Sequence, residues 1–269
     1  MWGDGTFLYG ACEGEGIRSY SVDGFGNITY IDVDDQGSQY QGTWSDGTFV
    51  YAAAQFTGLV SYTVDGSGNF TFKNSHLQGG IVGANGYYDV WGDGNFIYVA
   101  SWFQGIKSYS VDGSGILTFI DQHYIGAGQY YRVWGDGTFI YCAARAGGLV
   151  SYSVDGAGNL THRDTHKVGS GSSPYRGVWG DGNFIYVANQ DGGTGYQGLM
   201  SYSVDGSGNL THIDTDNTDG GGAQTVWGDG TFVYTSSLNG GLKSHVVDGS
   251  GIITHLDTYG GPSVSYRGV

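Results

Sequence analysis

Glycine-rich polar turns divide the chain into short runs of β-branched and aromatic residues. The runs have the length of single strands, and no apolar pattern of helical period extends for a useful length. Four such runs make one unit that recurs along the chain. In the fifth copy they predict strands over residues 175–179, 184–188, 199–204 and 210–214. The pattern therefore predicts an all-β, antiparallel protein with essentially no helix.

A tryptophan followed by a turn marks each copy of the repeat. The copies begin near Trp2, Trp44, Trp91, Trp134, Trp179 and Trp227, at intervals of 42, 47, 43, 45 and 48 residues. Repeats of this length with four strands are typical of β-propeller blades. The sequence predicts a six-bladed β-propeller, with four antiparallel strands per blade, that occupies residues 1–269 as one domain.

The two ends of the chain resemble the two halves of one strand. The final residues Tyr266, Arg267, Gly268 and Val269 match the start of the first strand of a repeat, and residues 2–5 match its end. We expect the N- and C-terminal segments to share one blade and close the ring, because closure leaves no open sheet edge. A ring that was trimmed or engineered from a longer repeat array is the alternative, and the sequence leaves both open.

The connections within each repeat are of two kinds. The first and third turns are nearly constant, as Gly-Asp-Gly and Asp-Gly-Ser-Gly-Asn, whereas the other two connections vary in length and content. Strands alternate in direction, so the variable loops should emerge on one face and the constant turns on the other. Binding sites are commonly built from variable loops on a rigid scaffold. We therefore expect a ligand on the variable face.

Composition narrows the class of protein. Most of the 25 acidic residues recur at turn positions, so turn formation and solubility account for the net charge of −15. The ten basic residues form no stripe, which excludes a nucleic-acid partner. The chain has no apolar run that could span a bilayer, and we expect a soluble monomer without a membrane partner. Cys12 and Cys142 fall on different blades, so no disulfide is expected and the compartment stays open, with an extracellular location as one alternative.

The start of each first strand carries polar residues that differ between copies. Inner strands line the channel of a propeller, so these side chains would converge at its mouth, where solvation of the channel is the alternative to binding. Aromatic residues in neighbouring loops favour a sugar or peptide ligand. The candidate ligand-binding residues are Gln41, Tyr88, Asp89, Tyr131, Arg132, Arg176, Gln224 and Arg267 at the strand starts, with Trp102, Phe103 and Tyr196 in the loops.

Other repeated residues have structural explanations. The tryptophan column and the tyrosine columns are expected to fill the space between blades. His162, His212 and His255 share one outer-strand position, so they would lie too far apart to hold one metal ion. The Asp-Gly-Ser-Gly-Asn turn lacks the final acid of a calcium loop. We expect no metal and no cofactor.

The repeat is similar to that of a known family. Residues 174–178 (PYRGV), 180–189 (GDGNFIYVAN), 199–205 (LMSYSVD) and 208–211 (GNLT) resemble the lactonase-type and YVTN-type β-propellers. Members of that group look seven-bladed more often than six-bladed, and this chain has tryptophan where they have a small residue before the first turn. The lactonase branch implies hydrolysis of sugar-acid lactones by Glu, Arg and His in the central opening. The only glutamates here, Glu13 and Glu15, share one loop, so no catalytic residue is assigned.

Three functional hypotheses follow. The first is a non-enzymatic binding or interaction scaffold whose ligand on the variable face is a small molecule, a carbohydrate or a protein, or which has no natural ligand if the ring is engineered. The second is a lactonase-like hydrolase at the central channel that uses Asp89, Arg132, Arg176 and Arg267. The third is a purely structural role. Without a Ser-His-Asp, phosphate-loop or metal motif, the sequence favours the first.

Overall fold

The computed structural model describes residues 1–79, 86–126, 128–169, 174–190, 198–218, 222–237 and 240–260. Within these ranges the regular elements are β-strands, and they form six four-stranded sheets. In each sheet the strands follow one another in chain order as an antiparallel meander. The chain is a β-propeller with six four-stranded blades, which confirms the predicted fold class. Residues 266–269, predicted to close the ring, lie outside the described residues.

The chain divides into two compact units, and the first comprises residues 1–123 with the hairpin tip 155–160. This unit contains the first three sheets. Their strands are β1 (Trp2–Gly3), β2 (Phe7–Cys12), β3 (Gly16–Val22), β4 (Ile28–Asp34), β5 (Tyr40–Ser45), β6 (Val50–Ala54), β7 (Gly58–Val64), β8 (Phe70–His76), β9 (Tyr87–Gly92), β10 (Ile97–Ser101), β11 (Gly105–Val111) and β12 (Leu117–His123).

The second unit comprises residues 124–154 and 161–269 and contains the other three sheets. The strands are β13 (Tyr130–Gly135), β14 (Phe139–Ala144), β15 (Gly148–Val154), β16 (Leu160–His166), β17 (Tyr175–Gly180), β18 (Ile185–Asn189), β19 (Gly198–Val204), β20 (Leu210–Asp216), β21 (Ala223–Gly228), β22 (Val233–Ser237), β23 (Gly241–Val247) and β24 (Ile253–Tyr259). The strands predicted for the fifth copy agree with β17 to β20 to within two residues. The single domain predicted for residues 1–269 stays a prediction.

The first turn of every sheet is built on an aspartate. In the second sheet, Asp46 Oδ1 accepts the backbone N–H groups of Thr48 and Phe49, each at 2.7 Å, and Oδ2 accepts the Tyr51 hydroxyl at 2.7 Å. Burial and this carboxylate raise the pKa of Tyr51, so the hydroxyl remains a donor. The same bonds occur at Asp4, Asp93, Asp136, Asp181 and Asp229. The turn role predicted for these acids is confirmed.

The third turn of each sheet uses a second aspartate. Asp205 Oδ1 accepts the N–H groups of Ser207 at 2.8 Å and Asn209 at 2.9 Å, and Oδ2 accepts the Asn209 amide at 2.7 Å. The Asn209 side chain and these backbone donors lower the pKa of the Asp205 carboxyl. Gly208 has a φ of 87°, a left-handed conformation that favours glycine. The carboxylate is therefore used by its own turn.

Hydrophobic cores lie between consecutive sheets of each unit. Trp44 of the second sheet covers Gly92 of the third so closely that an added Cβ would stand 2.6 Å from the indole ring. Trp134 covers Gly180 and Trp179 covers Gly228 in the same way. The predicted packing of the tryptophan column between neighbouring sheets is confirmed for these pairs. A glycine after the tryptophan is required because the next indole occupies the space of its side chain.

Two hydrogen bonds join the fifth sheet to the sixth, and we call this pair of bonds the sheet latch. The buried Ser201 hydroxyl donates to the Gly251 carbonyl at 2.6 Å, and the Ile253 N–H donates to Asp214 Oδ2 at 2.9 Å. Equivalent serine bonds are made by Ser19, Ser61, Ser108 and Ser151. Equivalent carboxylates or amides are Asp32, Asn74, Asp121 and Asp164. The latch therefore gives hydrogen-bond partners to one backbone carbonyl and one backbone N–H at the third turn of the following sheet.

Among the described residues, a tyrosine pair lies inside four of the sheets. Tyr40 and Tyr62 have their hydroxyls 2.9 Å apart, and the Gln36 N–H donates to the Tyr40 hydroxyl at 3.2 Å. The pair therefore ties the loop before a first strand to the third strand of the same sheet. In the sixth sheet the buried His245 replaces the second tyrosine, and its Nε2 lies 3.0 Å from Asp216 Oδ2. Burial raises the pKa of Asp216, but the hydrogen bonds from His245 and Thr218 outweigh this effect and lower the pKa to about 2.

Both cysteines have free thiols, with Cys12 half-buried and Cys142 buried. In the parts of the chain that the structure describes, no helix is long and apolar enough to cross a membrane.

The sheet latch predicts a measurable stability difference between two serines of β19. Ser201→Ala removes the buried donor to Gly251 and should lower the free energy of unfolding by about 1–2 kcal/mol, because a buried carbonyl loses its partner. Ser203→Ala, two residues away and half-buried, should change it by less than about 0.5 kcal/mol. Urea denaturation of both variants measures the difference, and equal effects would contradict the latch.

Candidate functional site

The first strands share a β-bulge near their start. In β9, Tyr87 pairs with Ser101 and Asp89 pairs with Ala100, so Tyr88 is left out of the ladder. A bulge bends the strand and redirects the extra side chain, and bulges are frequent beside binding sites. The residues left out in the other sheets are Gln41, Tyr131, Arg176 and Gln224. The described candidate residues at the second position of the first strands are therefore all bulge residues, whereas Asp89 and Arg132 at the third position stay in the ladder.

An aromatic cluster forms around one of these bulges in the first unit. The Tyr88 and Trp102 rings have centroids 4.3 Å apart at an interplanar angle of 32°, and Phe103 meets Trp102 edge-on at 6.0 Å. The backbone N–H of Trp102 donates to the Gly86 carbonyl at 3.1 Å, which holds the loop between β10 and β11 against the start of β9. Phe103 is 43% exposed. We call these three residues the aromatic platform.

Amide and carboxyl groups lie beside the platform. Gln55 Nε2 donates to the Tyr88 hydroxyl at 3.2 Å. Asp89 is half-buried against β5, where a Cβ at Gly42 would stand 2.5 Å from its Oδ1. Gln41 Nε2 instead donates to Glu13 Oε1 at 3.3 Å, in the loop after β2. This side of the first unit therefore offers flat apolar rings together with hydrogen-bonding groups of both kinds.

A second group of candidate residues lies in the second unit. The Arg176 guanidinium carbon lies 4.3 Å from the centroid of the Tyr131 ring, in a cation–π geometry. Gln129 Oε1 accepts from Arg145 Nη1 at 2.7 Å and from the Tyr131 hydroxyl at 3.3 Å. This group is cationic and amide-rich. It differs in chemistry from the aromatic platform.

The remaining candidates are placed apart or cannot be described. Arg132 is half-buried in β13 and donates through Nη1 to the Tyr131 carbonyl at 3.4 Å. Gln224 is half-buried in β21, and its buried Nε2 has no hydrogen-bond partner among the described residues. Arg267 and Tyr196 lie outside the described residues.

Lys107 anchors the loop that carries the platform. Its Nζ donates to the Gln78 carbonyl at 2.6 Å and to Gln104 Oε1, and it lies 5.0 Å from the centroid of the Tyr87 ring. The side chain is fully buried in β11, and burial lowers the pKa of its ammonium group to about 8. Gln104 follows Phe103 directly, so the lysine fixes the chain next to the platform.

The structure also has a pocket of about 250 Å³ at the opposite end of the first two sheets, among the constant turns. Asp4, Ser45, Thr48 and Asp65 contribute its polar groups. Both carboxylates already accept hydrogen bonds from their own turns. The pocket is therefore a consequence of turn packing.

Sequence reasoning missed several residues that shape these groups. Gln55, Gln129 and Lys107 support Tyr88, Tyr131 and the platform loop, respectively. A difference between repeats at one position could have indicated them: the third residue is Lys107 in β11 but Met200 in β19. The histidines rejected as metal ligands each bond a threonine three residues later, as His212 does with Thr215 at 2.8 Å.

Comparison with solved structures gives lactonase-like β-propellers over nearly the whole chain. A putative 6-phosphogluconolactonase from Bacteroides fragilis has a TM-score of 0.79 and 14% identity, covering 99% of this chain and 84% of its own. The periplasmic gluconolactonase PpgL of Pseudomonas aeruginosa has a TM-score of 0.73 and 18% identity, covering 93% and 77%. A putative 6-phosphogluconolactonase from Bacteroides uniformis has a TM-score of 0.77 and 14% identity, covering 94% and 81%.

These likenesses confirm the resemblance to lactonase-type β-propellers at the level of the fold. No family model matches the chain, and no curated protein matches its sequence. At such low identity the likeness carries the fold alone, since one fold supports many functions.

The buried lysine predicts a pH dependence of stability. Its pKa is lowered to about 8 in the folded protein from 10.5, so the unfolded chain binds more protons between about pH 8 and pH 10 and stability rises there. The free energy of unfolding of the wild-type protein should therefore rise by roughly 1–2 kcal/mol over this pH window relative to that of Lys107→Met, at about 1.4 kcal/mol per pKa unit.

Methionine is the matched replacement because Met200 fills the same position of β19. Denaturation of both proteins from pH 7 to pH 10 measures the difference, and tyrosine ionisation cancels between them. Parallel pH profiles would contradict a lowered lysine pKa.

Proposed function

We propose that this protein is a non-enzymatic carbohydrate-binding module and that its ligand lies on the aromatic platform of Tyr88, Trp102 and Phe103. The observation that carries the proposal is the pair of rings 4.3 Å apart on a bulge, beside the amide of Gln55. Aromatic rings bury the C–H faces of a sugar, and amides and carboxylates bond its hydroxyls. The polar groups flanking the platform suit a neutral sugar better than an apolar ligand.

The charge of the chain supports a neutral ligand. At a net charge of −15 an anionic ligand would be repelled over the surface as a whole. Asp89 is half-buried beside Gly42 and adds a local acceptor on the same side of the unit. A sugar hydroxyl can donate to such a carboxylate.

The binding proposal is tested by thermal unfolding in the presence of neutral mono- and oligosaccharides. A bound sugar at about a hundred times its dissociation constant should add roughly 2.7 kcal/mol to the folded state. Trp102→Ala should remove this stabilisation, because it deletes the central ring of the platform.

Phe25→Ala is the control, since Phe25 is 93% exposed in a constant turn of the first sheet. It should leave the stabilisation unchanged. A sugar that stabilises Trp102→Ala as strongly as wild type would exclude the platform, and no stabilisation by any sugar would exclude the function.

Lactone hydrolysis is the second candidate, supported by the lactonase names of the similar structures. The cationic group around Tyr131 and Arg176 adds the charge that an oxyanion or sugar acid would need. Base consumption during incubation with sugar-acid lactones measures turnover. Arg132→Ala and Arg176→Ala, made separately, should abolish it in an enzyme and leave sugar binding by the platform unchanged.

A further inference from the structure

The loop that precedes the platform in chain order carries a second exposed ring. Phe56, between β6 and β7, is 36% exposed, and Phe103, at the same position of the loop between β10 and β11, is 43% exposed. The first and fourth sheets have Gly14 and Ala146 at this position. The described loops of this kind therefore place exposed aromatic rings on two consecutive sheets of the first unit.

The loop that carries Phe56 is fixed through its backbone. The hydroxyl of the buried Ser38 accepts the N–H groups of Phe56 at 2.9 Å and Thr57 at 3.3 Å. The Gln55 N–H donates to the Gln39 carbonyl at 2.9 Å. Because the backbone is held before a ligand arrives, a contact with the Phe56 ring costs little loop ordering.

The start of β9 lies between the loop of Phe56 and the loop of Phe103. A Cβ added at Gly86 would stand 2.7 Å from the Gln55 Cα, and the Gly86 carbonyl accepts the backbone N–H of Trp102. The second and third sheets share one hydrophobic core, and sheets that pack face to face lie about 10 Å apart. A ligand that contacts both exposed rings must therefore be longer than one sugar ring.

Hydrogen-bonding groups accompany both ring positions. Gln55 directly precedes Phe56 and donates to the Tyr88 hydroxyl at 3.2 Å, so its amide lies between Phe56 and the platform. Gln41 bulges out of β5 opposite the end of β6, which leads into the Phe56 loop, and donates to Glu13 Oε1 at 3.3 Å. The Glu13 carboxylate accepts hydroxyl donors and repels an acidic sugar.

We propose that the ligand is a linear neutral oligosaccharide of at least two sugar units, bound across the second and third sheets with Phe56 as a second stacking position. This inference rests on the proposed carbohydrate function. One sugar unit covers the platform beside Gln55, and a neighbouring unit covers Phe56 beside Gln41. Each unit then buries its C–H face on a ring and finds amide groups for its hydroxyls.

The dependence of affinity on chain length tests this proposal. The probes are glucose, galactose, mannose, xylose and N-acetylglucosamine, each from the monosaccharide to its linear hexasaccharide, titrated calorimetrically into wild-type protein. In the series that binds, affinity should rise about tenfold between the monosaccharide and the trisaccharide, as expected for one added aromatic contact, and then level off.

Two variants locate the second position. Phe56→Ala should leave the monosaccharide affinity unchanged and reduce the gain with chain length to the statistical advantage of the extra units. Gln41→Ala, which removes the amide beside this ring, should also weaken only the longer sugars. Trp102→Ala should weaken sugars of every length, because it removes a ring of the platform itself.

Phe72→Ala is the matched control. Phe72 belongs to the same sheet as Phe56 and is 39% exposed, but it lies on the outer strand β8. This variant should bind every sugar as wild type does. Circular dichroism checks that all the variants are folded.

The outcomes separate this inference from the function on which it rests. A monosaccharide that binds as tightly as its oligomers, or a Phe56→Ala variant that keeps the full gain, would overturn the second position and leave the platform as a site for one sugar. Failure of every sugar to bind would overturn both. Binding of a proline-rich peptide in place of sugars would do the same, since aromatic grooves also recognise that class of ligand.

Discussion

A four-stranded sheet of this sequence cannot bury its own faces, and the structure depends on that constraint. The hydrophobic cores lie between consecutive sheets, so the stabilising contact is the one between repeats. Tryptophan against glycine sets the distance between two sheets, and the serine and carboxylate of the latch fix their register. Conservation of these residue types between copies follows from this contact alone.

The same constraint separates the two ends of each sheet. At the constant end, aspartates close the turns and accept the tyrosine hydroxyls of the second strands, so their carboxylates are fully used. At the variable end, a bulge frees one side chain per first strand from the ladder. The chain can therefore change residues such as Tyr88 or Arg176 without changing the contact between sheets.

Much of the fold could be predicted from sequence because recurring turn residues mark each repeat. Gly-Asp-Gly and Asp-Gly-Ser-Gly-Asn locate the hairpins, and the tryptophan interval locates the sheets. The bulge could not be predicted, because a residue left out of a ladder looks like any other residue of its strand. Pairing of Tyr88 with Trp102 depends on that bulge, so the sequence indicated both residues without showing that their rings meet.

Buried polar groups were harder to predict for a related reason. The tyrosines of β5 and β7 occupy buried positions, yet their hydroxyls lie within hydrogen-bond distance of each other, and a loop N–H donates to one of them. Lys107 occupies a position that holds valine or methionine in the second, fourth and fifth sheets, and the loop carbonyl and amide around it explain the charge. Such residues are specified by partners distant in sequence, which a single repeat does not contain.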